Sequence, residues 1–140
     1  MRLEYLDDVD GKDLLELFNV PFDKEQWINF WENYSQSDTL VIYCAWIHSK
    51  EIDRDIIVGT VSLLVQNKPH SFNPTVYIED LIVAPHFRRL GLGKEILSKV
   101  IEECKTYFPS KIKVSCEEDY DKFFSDFGFN KTNINMELSL

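Results

Sequence analysis

The sequence predicts an α/β (α+β) chain: a mixed central sheet of about six strands flanked by about four helices, in the order β-α-α-β-β-β-α-β-α-β. Three observations lead there. The 140 residues are 44% apolar and 14% aromatic, which suits one core and one domain, 1–140. Runs rich in β-branched and aromatic residues alternate with segments of helical period. The clearest helical period follows an apolar run through a turn that contains two glycines.

Taken in order, residues 2–6 alternate weakly and read as a first strand. Leu14, Leu15, Leu17 and Phe18 suit a short helix over 12–19. Asp23 is placed to cap a second helix, with Gln26 at the capping-box position and Trp27, Phe30, Trp31 and Tyr34 on its apolar face. Strands follow over 39–47 and 56–65, joined by the polar segment Lys50-Glu51-Ile52-Asp53-Arg54-Asp55. A loop over 67–74 leads to a strand over 76–83, which Pro85 ends. Ile96, Leu97, Val100, Ile101, Cys104, Tyr107 and Phe108 keep a helical period until Pro109. Residues 111–116 alternate as a strand. Tyr120, Phe123, Phe124 and Phe127 form one face of a short helix that Gly128 closes in the left-handed conformation, and residues 133–139 alternate as a last strand.

The formal net charge is −9, which excludes bulk attraction to nucleic acid or an anionic membrane. It suits a cationic substrate such as an amine, and equally plain solubility. The N-terminus lacks a basic start followed by an apolar run, so no signal peptide is expected, and no apolar stretch is long enough to span a membrane. Cys44, Cys104 and Cys116 are odd in number and lack metal-type spacing, so a reduced, cytoplasmic setting with cysteines as small core residues fits best. His48, His70 and His86 lack ligand spacing, so no metal is expected.

The most informative stretch is Tyr77-Ile78-Glu79-Asp80-Leu81-Ile82-Val83, then Ala84-Pro85-His86-Phe87, then Arg88-Arg89-Leu90-Gly91-Leu92-Gly93-Lys94. A strand feeds a turn, and the turn opens a helix. The first residues of a helix have free N–H groups and sit at the positive end of its dipole. Two glycines let an anion approach that backbone, and Arg88, Arg89 and Lys94 add positive charge to an otherwise acidic chain. These features point to an anionic ligand carrying a diphosphate. A Walker loop and a three-glycine dinucleotide fingerprint both fail on spacing.

Arg-x-x-Gly-x-Gly between such a strand and helix resembles the acetyl-CoA motif of the GNAT superfamily. Val83-Ala84-Pro85-His86-Phe87-Arg88 and Phe123-Phe124-Ser125-Asp126-Phe127-Gly128-Phe129 resemble two further motifs of that superfamily. Ile78-Glu79-Asp80-Leu81-Ile82-Val83 resembles the corresponding strand of glucosamine-6-phosphate N-acetyltransferases, and Lys68 and His70 resemble a Lys/His pair in their substrate loop, with the spacing off by one. The resemblance implies a GNAT fold and acetyl-CoA as co-substrate. It also implies direct attack by the amine of glucosamine 6-phosphate in a ternary complex, on the route to UDP-N-acetylglucosamine.

On that resemblance, Glu79 handles the amine proton and partial burial raises its basicity; the alternative is an edge carboxylate held by hydrogen bonds. Asp80 points to the opposite face in a regular strand, and a bulge would change this. Backbone groups of Leu81, Ile82 and Val83 would pair with the pantetheine arm as an added strand. The turn residues Arg88, Arg89, Gly91, Leu92, Gly93 and Lys94 would hold the pyrophosphate. Lys68, His70, Glu79 and Asp80 would line the acceptor site.

Three departures stand against that pattern. A thiolate-stabilising tyrosine aligns with Phe124, an aspartate near the acetyl group with Ser115, and a phosphate-binding arginine with Ser139. Tyr120, one turn before Phe124, is the candidate for the missing hydroxyl; the alternative makes both rings core. Lys68, His70 and Lys131 are the remaining candidates for the phosphate. The resemblance further implies a homodimer in which C-terminal strands cross. Rival readings are polyamine or diamine acetylation, acetylation of protein N-termini, and a catalytically inactive acyl-CoA-binding module.

Overall fold

The computed structural model describes all 140 residues. The elements are β1 (Arg2–Tyr5), α1 (Gly11–Leu17), α2 (Lys24–Ser35), β2 (Leu40–Ser49), β3 (Arg54–Gln66), β4 (Thr75–Val83), α3 (Leu92–Lys105), β5 (Lys111–Val114) and α4 (Asp121–Ser125). Single 3-10 turns occupy Asp8–Asp10, Pro85–Phe87 and Glu118–Tyr120. One sheet runs β1-β2-β3-β4-β5. Its pairs are antiparallel except β4–β5, which is parallel because α3 makes the crossover between them.

Each face of the sheet has its own layer. On one face Ile96, Leu97, Val100 and Cys104 of α3 and Phe124 of α4 pack on Tyr43, Ala45, Val58, Val61, Leu63, Val65, Val76 and Ile78. On the other, Leu14 and Trp27 pack on Leu6, Ile42, Cys44 and Ile57. That second apolar layer holds no side chain from β4 or β5. The α1–α2 layer therefore covers β2 and β3 and does not extend over β4 and β5, where Thr75 is still buried on that face and Tyr77 and Glu79 are progressively more open.

The aromatic face of α2 is as the spacing predicts. The Asp23 side chain accepts the Gln26 N–H at 2.9 Å and caps the helix. Trp27 donates through Nε1 to both the carbonyl and a carboxylate oxygen of Asp8, at 3.0 and 2.9 Å, which ties α2 to the turn before α1. Gly11 is there because the Trp27 ring lies against its backbone; a Cβ would stand 2.3 Å from the ring.

Two elements differ from the sequence reading. Residues 133–139 form no strand, so the sheet has five strands and not six. The alternation is present in Ile134, Met136 and Leu138, but these side chains are 88%, 92% and 84% exposed. A strand exists only by pairing, and the one recorded tie of this segment to the sheet is a side-chain bond from Asn135 Nδ2 to Ser115 Oγ, 3.0 Å, just past the end of β5. Second, Tyr120 lies in the 3-10 turn before α4 and is 56% exposed, whereas Phe124 is buried at 8%. The two rings therefore do not share one buried helix face, because the chain changes helix type between them. Gly128 does close this region in the left-handed conformation, with φ 96°.

Candidate active site

The turn between β4 and α3 is built by backbone bonds. Ala84 donates its N–H to Val58 O at 2.8 Å, which keeps the chain on the sheet one residue past β4. Pro85 opens the 3-10 turn, and Phe87 N–H closes it on Ala84 O at 2.9 Å. Arg88 then folds back, its Nε donating to Val83 O at 2.9 Å. Arg89 and Gly91 both take positive φ, 63° and 82°. Gly91 is the cap residue of α3, and the first bond of the helix is Glu95 N–H to Gly91 O, 3.1 Å.

It follows that the N–H groups of Leu92, Gly93 and Lys94 have no partner within the helix. They point out of the positive end of a 14-residue helix, with the side chains of Arg88, Arg89 and Lys94 exposed around them. Gly91 has open space where a Cβ would be, whereas a Cβ on Gly93 would meet Phe123 at 3.6 Å and Val83 at 3.8 Å. Gly93 thus brings α3 close to β4 and α4, and Gly91 leaves the mouth of the turn open. This arrangement fits a diphosphate: several free amides, a helix dipole and three cations, with no carboxylate paired to any of the three.

The edge of β4 continues the site. β5 pairs only with Thr75 to Ile78, so residues 79–83 have no neighbour on that side. The ladder with β3 shifts register between Thr60 and Ser62, because Ser62 faces Glu79 while Thr60 faces Ile82. Asp80 is the extra residue, at φ 53°, so β4 bulges there. Leu81 and Val83 pack toward the α3 core, and Glu79 and Asp80 are both exposed. The bond from Ala84 to Val58 fixes the alternation: Ile82 exchanges its bonds with Thr60, and Val83 turns its N–H and carbonyl to the free edge. That carbonyl is already met by Arg88. The free edge and the open amides form one continuous surface that an extended, pyrophosphate-bearing ligand can follow.

Glu79 is exposed rather than partly buried, because the α1–α2 layer stops at β3. Around it on the same face stand Tyr77 and, on β5, Lys113, whose Nζ lies 6.0 Å from the centre of the Tyr77 ring. Sequence reasoning missed this pair, since only the parallel register Tyr77↔Lys113 brings it together. The strand alternation of Lys111 and Lys113 against Ile112 and Val114 was the available signal.

The other named residues fall as follows. Lys68 and His70 lie in the loop before Thr75, which is tied to the start of β5 by Ser110 N–H to Pro74 O, 2.9 Å. Lys131 is not free for a phosphate: its Nζ pairs with Asp121 at 2.8 Å, which holds the Asp121 carboxyl below the ordinary range and raises the lysine. Phe123 carries the contact between α4 and the first turn of α3, and Tyr120 stands exposed in the 3-10 turn before α4. Cys44 and Cys104 are core residues, and burial pushes their thiols up to about 12 and about 11. Cys116 differs from that expectation: it is exposed, because β5 ends two residues before it. No group of three or more His, Cys, Asp or Glu residues is placed to hold a metal ion.

A strand with a bulge and an unpaired edge, leading through a positive-φ turn into a helix with open amides, suits an extended ligand that carries a diphosphate. The comparisons place it further. The profile of the acetyltransferase (GNAT) family matches residues 10–129, and the chain belongs to that family. Its sheet of five strands with four helices is the GNAT fold. A curated relative, the glucosamine 6-phosphate N-acetyltransferase of Trypanosoma brucei brucei, is 32% identical over 85 residues, which is 60% of this chain and 58% of that protein. The match thus spans little more than half of the relative's length. Among solved structures, an acetyltransferase of Trypanosoma brucei superposes with TM-score 0.85 at 25% identity, covering 99% of both chains. The glucosamine-6-phosphate N-acetyltransferase of Arabidopsis thaliana superposes with TM-score 0.78 at 21% identity, covering 99% of this chain and 97% of that one.

Proposed function

We propose that residues 1–140 act as one N-acetyltransferase domain that moves the acetyl group of acetyl-CoA to the amine of glucosamine 6-phosphate. The products are N-acetylglucosamine 6-phosphate and CoA. The observation that carries the reading is the position of Glu79, at the fork where β4 leaves β5, beside the free edge and on the face with no second layer. The named activity of the trypanosomal relative supplies the acceptor.

In the reaction the amine nitrogen bonds to the thioester carbonyl carbon and the carbon–sulfur bond breaks. The ammonium must lose a proton and the departing thiolate must gain one or be held by a donor. Glu79 is exposed, so it takes the amine proton directly or through water. Phe124 has no hydroxyl and lies in the core, which leaves Tyr120 as the donor toward sulfur. The open amides of Leu92, Gly93 and Lys94 hold the pyrophosphate and so fix the thioester relative to Glu79. The acetylated sugar phosphate is a precursor of UDP-N-acetylglucosamine, and the setting is cytoplasmic. The exposed, alternating tail Ile134-Met136-Leu138 supports a homodimer in which that segment pairs with a second copy.

The test is thiol release from acetyl-CoA with glucosamine 6-phosphate, glucosamine, spermidine and an N-terminal peptide as acceptors. The sugar phosphate is expected to react fastest. The net charge of −9 favours the polyamine as the second reading, and faster release with spermidine would establish it. A preference for glucosamine over its phosphate overturns the sugar-phosphate assignment. Stabilisation by acetyl-CoA without release on any amine would leave a binding module. Glu79→Gln is expected to lower kcat by about 100-fold while acetyl-CoA affinity holds.

A further inference from the structure

Lys113 is a lysine whose surroundings do not account for it. Ile112 and Val114 pack against the α3 core, so Lys111 and Lys113 stand on the opposite face of β5. On β4 the same alternation buries Val76 and Ile78 and turns Tyr77 and Glu79 to that face. Lys111 and Glu79 are exposed, while Tyr77 and Lys113 are half-buried. Lys113 sits over Tyr77 at the outer limit of a cation–π contact, 6.0 Å from the ring centre. It makes no ion pair: Arg2, Lys99, Lys105 and Lys131 take the carboxylates that are paired with lysine or arginine. Lys113 is thus a half-buried cation beside an aromatic ring, with no carboxylate paired to it and free to meet an anion.

The position suits one. Tyr77 and Glu79 are two residues apart on one face, roughly 7 Å along the strand, a span comparable to a hexosamine. Lys111, opposite Thr75, and the loop that carries Lys68 and His70 lie at the same end of the sheet, away from the pyrophosphate turn.

We infer that Lys113, with Tyr77 beneath it, is the specificity-determining cation of the acceptor site, binding the phosphate of a phosphorylated amino sugar whose amine lies at Glu79. The sugar ring rests beside Tyr77 on that face of the sheet, where the aromatic ring can meet its C–H bonds. Lys113 takes the place of the arginine whose aligned position is Ser139. The inference rests on the sugar-phosphate reading of the function, and the experiment separates the two.

Steady-state kinetics are measured with glucosamine 6-phosphate and with glucosamine, for the wild type, Lys113→Met and Lys113→Arg. Removing one charge-assisted contact to phosphate is expected to raise KM for the sugar phosphate by about 10- to 100-fold with kcat little changed. KM for glucosamine is expected to stay the same, and Lys113→Arg to keep most of the affinity. Thermal stabilisation by acetyl-CoA, the same in all three proteins, checks that the fold and the cofactor turn are intact. A wild type that prefers the phosphate, joined to a Lys113→Met variant that prefers it equally, overturns the role of Lys113 and leaves the function standing. Equal losses on both sugars also overturn it, since a structural role would not distinguish them. A wild type without preference for the phosphate removes the function and this inference together.

Discussion

The two glycines of the α3 turn serve different purposes, and replacing each by alanine tests the turn's geometry. Gly91 has φ 82° and open space around its missing Cβ, so alanine there meets no atom and suffers only the left-handed backbone. That strain is about 1–2 kcal/mol, partly offset by the reduced freedom of the unfolded chain, about 0.4–1 kcal/mol. The net expectation is a loss of about 1 kcal/mol. Gly93 has no positive φ, and its Cβ would sit at 3.6, 3.7 and 3.8 Å from Phe123 and Val83, ordinary contact distances. Alanine there gains the same unfolded-state term and buries a methyl group worth up to about 0.8 kcal/mol. The net expectation is a gain of about 0.5–1.5 kcal/mol.

At a melting entropy of about 2.1 cal/mol/K per residue, these opposite signs separate the two variants by about 5–8 °C in Tm. Scanning fluorimetry with and without acetyl-CoA reads both stability and binding. Gly93→Ala should melt above the wild type and keep its acetyl-CoA shift, because the new methyl points inward, away from the open amides. Gly91→Ala should melt below the wild type and lose much of the shift. A Gly91→Ala protein as stable as the wild type refutes the left-handed turn. A stabilised Gly93→Ala protein that no longer responds to acetyl-CoA refutes the direction assigned to that Cβ.

Gly11→Ala should cost about 1–3 kcal/mol by overpacking, since its Cβ would lie 2.3–2.7 Å from three atoms of the buried Trp27 ring; a lower urea midpoint at unchanged slope is the expected readout. Asp55 is held below its ordinary value of 3.8 first by His48 and then by Arg2. Its contribution is therefore present above that value and fades as pH falls through the lower folded value, so Asp55→Asn should flatten the acid limb of Tm against pH below about 4. Tyr120→Phe should leave Tm and the acetyl-CoA shift unchanged, because the ring is 56% exposed and its hydroxyl makes no recorded bond. It should lower kcat, and an unchanged kcat across pH removes Tyr120 from the reaction.

What the sequence shows of this molecule follows from what each signal depends on. The α2 aromatic stripe, the Asp23 cap and the left-handed Gly128 depend on residues a few positions apart, and all three are visible in the chain. The α3 turn is visible for the same reason. The bulge at Asp80 is not, because it arises from the register of β3 against β4, and aspartate at φ 53° carries no local signature. The Tyr77–Lys113 pair depends on a parallel register across a crossover of more than thirty positions. The tail shows the limit from the other side: its alternation is plain, yet a strand needs a partner edge, and within this chain it has only the single bond to Ser115.

That contrast runs through the site itself. The half proposed for acyl-CoA is made of backbone: free amides at the start of α3, an unpaired edge on β4, Gly91 that keeps the turn open and Gly93 that lets α3 approach β4. Backbone geometry tolerates wide change in side chains, which is why Arg88-x-x-Gly91-x-Gly93 stands out in a chain only 25% identical to a structure it matches at TM-score 0.85. The half proposed for the acceptor is made of side chains, Tyr77, Glu79 and Lys113, on the sheet face that α1 and α2 do not reach. The resemblance marks departures at Ser115, past the end of β5, at Ser139 in the exposed tail and at Phe124 in the α4 core, and the cation inferred at Lys113 would restore the lost charge. On the proposed function, such a domain would hold its co-substrate by backbone and choose its acceptor by a few side chains, so exchanges at Tyr77, Glu79 and Lys113 are expected to change the preferred amine and leave the architecture intact.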